Sequence, residues 1–145
     1  MMFRRRPNAE LSHATLQAIR FAQLARHLIG GDAKYSAAAD PTFYERLSAG
    51  LSAVTDTTIE RTALPFFRKQ VSKGDAKAAL SFFSSPAGRI IAAKLVESDI
   101  PKLTDAEEAA LSEFKSSPQG AALERFLGDP LILPAITEAI ITHAP

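Results

Sequence analysis

The chain has 145 residues, of which 46% are apolar and 23% charged, so its length and composition suit one folded domain with a single core. It contains no cysteine, which excludes disulfides, thiolate metal sites and a cysteine nucleophile. No run of 18 apolar residues occurs, so the sequence predicts no membrane-spanning helix.

Positive charge is concentrated near the N-terminus, although the net charge is only +1. Residues 1–36 hold six basic and two acidic residues, a balance of +4, and the rest holds eleven basic and fourteen acidic residues, a balance of −3. Residues 1–7 are predicted to form a flexible basic arm, either solvated or in contact with phosphates or anionic lipid. No apolar signal-peptide core follows this arm, which favours a cytoplasmic location; a signal removed upstream would make it periplasmic.

A single helical domain is predicted over residues 8–145. Asn8 can cap a first long helix, whose apolar residues recur every three or four positions. The pair Gly30-Gly31 is expected to end this helix, because glycine commonly follows the last helical turn. A loop over residues 32–39 should come next.

A second long helix is predicted to begin at Asp40-Pro41, a capping residue followed by proline at the first helical position. Threonines at positions 55–58 are weak helix formers, so a bend is expected near them. Pro65 should break or kink the helix. No segment of the chain alternates apolar and polar residues over the length of a strand, so no strand is predicted.

An internal repeat is the most informative feature of the chain, because residues 72–95 recur as residues 104–127. Each copy is predicted to form a helix, a tight turn and a second helix, with serine as the cap and proline at the first position of that second helix. The predicted helices cover residues 72–84, 86–98, 104–116 and 118–127. The matching motif residues are Phe82 with Phe114, Ser85 with Ser117, Pro86 with Pro118, and Gly88 with Gly120.

A glycine occupies the third position of the second helix in each copy, where it costs about 0.5–1 kcal/mol relative to alanine. We interpret Gly88 and Gly120 as positions with no room for a side chain, and we expect the rings of Phe82 and Phe114 to lie across the bare backbone. The alternative is an anion site at the helix N-terminus. The capping serine already occupies those amides, which favours the structural interpretation.

The motif of residues 82–88, Phe-Phe-Ser-Ser-Pro-Ala-Gly, resembles the bacterial domain-of-unknown-function family 2059. The resemblance covers roughly residues 60–127, with a looser second copy of the motif at residues 114–120. Two residues depart from the family pattern, since Phe83 stands where tyrosine is common and Lys115 replaces the second aromatic residue. The resemblance implies a small helical domain of bacterial origin and supplies no catalytic residue.

The sequence contains no recognisable motif of a catalytic, cofactor-binding or metal-binding site. His13, His27 and His143 do not have the spacing of metal ligands. Thr104 and Glu107 have the spacing of a capping box, and Glu107 and Glu108 lie in the first helical turn, where negative charge complements the helix dipole. The sequence therefore predicts no catalytic, cofactor-binding or metal-binding residue.

The C-terminal segment, residues 131–141, is the most apolar part of the chain. We expect it to form a helix that seals the domain's own core. The alternative is that this helix forms a homodimer interface or a surface for another partner.

Together these features predict an all-α fold, a single-domain bundle of about six to seven helices that contains two tandem helical hairpins. The leading functional hypothesis is a non-catalytic protein–protein interaction module, for example an inhibitor or an immunity-like protein. One alternative is a helical protein that binds a small apolar ligand or a lipid. Another is an enzyme whose buried ionisable cluster the linear sequence conceals. No nucleic acid partner is expected.

Overall fold

The computed structural model describes residues 5–36, 40–98 and 100–143, and for residues 32–36 it describes the backbone alone. Within these ranges the chain is all-helical and contains no strand, so the predicted fold class is confirmed. Nine helices are found there, more than the six to seven predicted. They are α1 (Ala9–Ala18), α2 (Phe21–Ser36), α3 (Pro41–Ala53), α4 (Asp56–Gln70), α5 (Lys73–Ser84), α6 (Pro86–Glu97), α7 (Asp105–Ser116), α8 (Pro118–Leu127) and α9 (Ile132–Thr142).

The first long helix of the prediction is divided in two at Arg20. The backbone of Arg20 has a φ of 56°, in the left-handed region, and it lies between the end of α1 and the start of α2. The predicted stop at Gly30-Gly31 is wrong, because α2 continues through both glycines. A glycine ends a helix most readily where it adopts the left-handed conformation, and no described glycine does so.

The second long helix is also divided, at residues 54–55 rather than at Pro65. Val54 has extended backbone angles, and the Thr55 hydroxyl caps α4 by accepting a hydrogen bond of 3.2 Å from the Thr58 amide. Pro65 lies inside a continuous α4, so the predicted break there is wrong. Since α4 packs against α1, α2, α8 and α9, tertiary contacts offset the hydrogen bond that proline removes.

The core is built around α4 and α8. Ile59, Ala63 and Phe67 of α4 are all buried. Phe126 of α8 is also fully buried, and its ring meets that of Phe67 edge to face with 5.2 Å between centroids. The ring of Phe21 approaches Phe126 from α2 at 5.4 Å. Aromatic packing of this kind links the N-terminal helices to the second copy of the repeat.

Four helices carry the repeat, and their bounds agree with the prediction to within a residue or so. Helix α5 packs against α6, and α7 packs against α8, so each copy forms the expected pair of helices. The two copies differ in position: α5 also packs against α1 and α8, whereas α7 contacts mainly α6 and α8. The second copy therefore has its first helix at the periphery of the bundle.

The described part of the predicted N-terminal arm, residues 5–7, contacts the body of the domain. Pro7 is fully buried, and its carbonyl accepts a hydrogen bond of 2.9 Å from Arg68 Nε. The Arg5 carbonyl accepts a hydrogen bond of 2.7 Å from the Lys73 amide. Residues 1–4 lie outside the described residues, and the flexibility of the arm stays a prediction.

In the described ranges, no helix combines the length and the apolar character that crossing a bilayer requires.

Candidate functional site

The turns of the two hairpins have the same hydrogen-bond geometry. Ser85 Oγ accepts a hydrogen bond of 3.1 Å from the Gly88 amide and donates one of 2.6 Å to the Phe82 carbonyl. In the second copy, Ser117 Oγ accepts from the Gly120 amide at 3.1 Å and donates to the carbonyl of residue 114 at 2.5 Å. Each serine thus joins the end of one helix to the start of the next.

Backbone atoms, rather than rings, fill the space beside the two motif glycines. A Cβ atom added to Gly88 would lie 1.8 Å from the Phe82 carbonyl oxygen, and one added to Gly120 would lie 2.0 Å from the Phe114 carbonyl oxygen. A side chain therefore has no room at either position. The atom that excludes a side chain is the carbonyl oxygen of the phenylalanine. The prediction that the phenylalanine ring lies across the glycine is therefore wrong.

The phenylalanine rings instead pack against each other. Phe82 and Phe114 stack with 4.6 Å between centroids and 8° between planes, and Phe83 meets both rings edge to face. The two copies of the repeat are therefore joined through their equivalent aromatic residues. Because the serines occupy the glycine amides, this arrangement has a structural explanation that requires no anion.

A large concave surface lies elsewhere, between α2, α3 and α9. It is a groove of about 660 Å³ and is lined mainly by apolar side chains. Among the described residues that line the groove, Glu138 alone carries a charge. The apolar lining includes Ile29 of α2, Phe43 and Leu47 of α3, and Leu133, Pro134 and Ile141 of α9. We call this surface the α3–α9 groove.

A glycine allows the two principal walls of the α3–α9 groove to approach each other. A Cβ atom added to Gly50 of α3 would lie 2.2 Å from the Ile140 carbonyl oxygen of α9. The backbones of α3 and α9 are therefore in close contact at this point. No local motif marks Gly50 in the sequence, although a glycine inside a helix carries a cost that such a contact can explain.

One ionisable pair joins α1 to α4 away from the groove. Glu60 is 5% exposed, and its carboxylate contacts His13 Nε2, whose side chain is partly exposed. The pKa of Glu60 is raised above its ordinary value, mainly because burial disfavours the charged carboxylate. The contact with His13 lowers this pKa, and the charge of Asp56 raises it by a smaller amount. Glu60 was not predicted from the sequence, because its polar neighbour lies 47 residues earlier in the chain.

A second ionisable group connects the two hairpins. Lys94 of α6 donates a hydrogen bond of 2.6 Å to Glu107, which also accepts one of 2.9 Å from the Thr104 amide. These two donors, with Lys94 first, lower the pKa of Glu107. Since Glu107 completes the capping box with Thr104, its predicted structural role is confirmed.

The three histidines are separated in the fold. His13 lies in α1, His27 lies in α2, and His143 contacts the Ala139 carbonyl at the end of α9 through Nδ1 at 2.8 Å. Among the described residues, no group of three or more histidine and carboxylate side chains could hold a metal ion.

Comparison with protein-family models, with curated proteins and with solved structures finds no match for this chain. Any functional conclusion must therefore rest on the geometry of the molecule itself.

Proposed function

We propose that this chain is a non-catalytic protein–protein interaction module, and that the α3–α9 groove binds an apolar segment of its protein partner. The observation that carries the proposal is the groove itself, an open apolar surface of about 660 Å³ beside a well-packed helical core. Grooves between helices are a common receptor for the apolar face of a partner helix. Leu133, Ile141 and Phe43 would supply the apolar contacts.

The position of the ionisable pair supports a binding role over a catalytic one. An enzyme site requires reactive groups to converge on the cleft that holds the substrate. Neither His13 nor Glu60 lines the α3–α9 groove, and the one charged group that does is Glu138, within the part of the chain that the structure describes. The His13–Glu60 contact instead joins two helices of the bundle.

Site-specific photo-crosslinking tests this proposal. Leu133 is replaced by the photoreactive residue p-benzoylphenylalanine, and the chain is irradiated in the cells that produce it. We expect a discrete crosslinked protein, which is lost when Thr137→Arg places a large cation in the groove. Ile90, an exposed side chain of α6, is the matched control position and should give no such product. Equal crosslinking at both positions would contradict the proposal.

A second candidate function is the binding of a small apolar ligand or lipid. The volume of the groove falls within the range of about 300–1,000 Å³ that is typical of ligand pockets. A further cleft of about 370 Å³ lies beside the stacked rings of Phe82 and Phe114. A retained small molecule on the purified chain would favour this second candidate over the first.

The family relationship is likewise a proposal. We propose membership of the bacterial domain-of-unknown-function family 2059 on the basis of the motif at residues 82–88. The proposal is supported by the structure of the motif, whose serine, proline and glycine act together at one turn. Ser85 caps α6, Pro86 is the first residue of α6, and Gly88 leaves room for the Phe82 carbonyl.

A further inference from the structure

The face that contains the α3–α9 groove also carries a largely exposed apolar side chain. Leu131 is 65% exposed and lies between Pro130 and Leu133, two residues that line the groove. Phe43, a lining residue on α3, is 37% exposed. One surface thus presents an exposed apolar side chain next to an apolar groove, so two copies related by a two-fold axis could each place Leu131 against the groove of the other.

Opposite charges flank the groove on its two principal walls. Glu138 lies on α9, seven residues after Leu131, which immediately precedes α9 and has helical backbone angles, so the two residues lie on the same side of the helix axis. Arg46 is exposed on α3 and lies three residues after Phe43, about 60° away around the helix. Each copy therefore offers an anionic group on one wall and a cationic group beside the other.

We propose that the occupant of the α3–α9 groove is a second copy of this chain. In the resulting two-fold dimer, α3 of each copy faces α9 of the other, Leu131 packs against the apolar lining of the opposite groove, and Glu138 lies opposite Arg46. This inference rests on the proposed function, because it names the partner that the groove binds. The exposed Leu131 beside an apolar groove, and opposite charges on its two sides, favour a second copy over an unrelated chain.

Sedimentation velocity over a series of protein concentrations tests the dimer and the role of Leu131. We expect the wild-type chain to change from monomer to dimer as its concentration rises. The substitution Leu131→Asp should weaken dimerisation by at least about tenfold, as expected for an apolar anchor of an interface. The control Ile90→Asp, which changes an exposed apolar residue outside the groove, should leave the dimerisation constant unchanged.

Charge exchange tests the proposed pairing of α3 with α9. Arg46→Glu alone and Glu138→Arg alone should each weaken the dimer, because each places like charges opposite each other. Mixing the two single variants should restore a dimer that contains one copy of each, since every facing pair is then of opposite sign. The double variant Arg46→Glu/Glu138→Arg should form a dimer on its own.

The outcomes separate this inference from the proposed function. A wild-type chain that stays monomeric at every concentration, while position 133 crosslinks to a different protein, overturns the dimer and leaves the proposed function standing. A monomer that retains an apolar small molecule in the groove overturns both. A dimer that resists Leu131→Asp and both charge substitutions overturns the inferred interface.

Discussion

The rings of Phe82 and Phe114 stack almost parallel, with 4.6 Å between their centroids. These residues occupy equivalent places in the two copies of the repeat, each six positions before the glycine at the third position of the next helix. Their carbonyl groups close the turns and their rings join the two hairpins. The phenylalanine at each turn therefore contributes to the turn through its carbonyl group and to the packing of the two hairpins through its ring.

Replacement of either motif glycine by alanine is expected to destabilise the fold. In Gly88→Ala or Gly120→Ala the new methyl group would overlap a backbone carbonyl, which cannot move without opening the turn. We expect a loss of about 2–3 kcal/mol in the free energy of unfolding, measured by urea denaturation. The control is Gly74→Ala in α5, where nothing lies within 4 Å of the added carbon. That variant should match or exceed the stability of the wild type.

Arg26 is expected to stabilise the junction between α3 and α4. Its guanidinium donates to Asp56 at 2.9 Å and to the carbonyls of Leu51 and Val54, each at 2.6 Å. Lysine cannot form this planar set of contacts, so Arg26→Lys should lower the free energy of unfolding by about 1–3 kcal/mol. Arg61→Lys, at an exposed position of α4, is the matched control. Equal stability of the two variants would show that the contacts of Arg26 contribute little.

The left-handed backbone at Arg20 predicts a stabilising substitution. A non-glycine residue in this region costs about 1–2 kcal/mol, and glycine avoids that cost at the expense of a more flexible unfolded chain. We expect Arg20→Gly to raise the free energy of unfolding by about 0.5–1 kcal/mol. Arg20→Ala removes the same side chain but keeps the strain, and it should give no such gain. Thermal and urea unfolding of both variants measure the difference.

Glu60 is expected to make stability depend on pH. Because its folded pKa is raised above 4.5, the folded state holds the proton more tightly than the unfolded state. The stabilisation from this group is therefore complete below the ordinary pKa and is lost as the pH rises through the folded pKa. Relative to Glu60→Gln, the wild type should lose stability as the pH rises from about 4.5 towards neutrality.

Urea unfolding at a series of pH values tests the effect of Glu60. The control is Glu124→Gln, which removes an exposed carboxylate of α8. A constant difference between the wild type and Glu60→Gln across this pH range would mean that burial does not perturb Glu60.

The hairpins were predictable from sequence because their signals are local. Ser72, Thr104, Ser85 and Ser117 each cap a helix within three residues of themselves, so short-range patterns define all four helix starts. The break at Arg20 lacks such a pattern, whereas the break at Val54 lies beside Thr55, which caps α4 locally and belongs to the threonines where a bend is predicted. The second is held by Arg26, which lies 28 residues before Val54, and sequence spacing does not reveal that contact.

The candidate site was only partly predictable for the same reason. The apolar C-terminal segment indicated either a core helix or an interaction surface, and the segment combines both properties. Ile136 and Ile140 of α9 are fully buried, whereas Leu131, just before α9, is largely exposed. The groove itself depends on how α2, α3 and α9 meet. That geometry is fixed by long-range contacts such as the approach of Gly50 to Ile140, which no local pattern specifies.

Native mass spectrometry of the chain, purified without denaturation from the cells that produce it, tests most directly whether the groove binds protein. We expect the mass of a dimer, free of any retained small molecule, and its dissociation when Thr137→Arg blocks the groove. A monomer that carries a small apolar molecule, released by the same substitution, would contradict the account and assign the groove to a ligand.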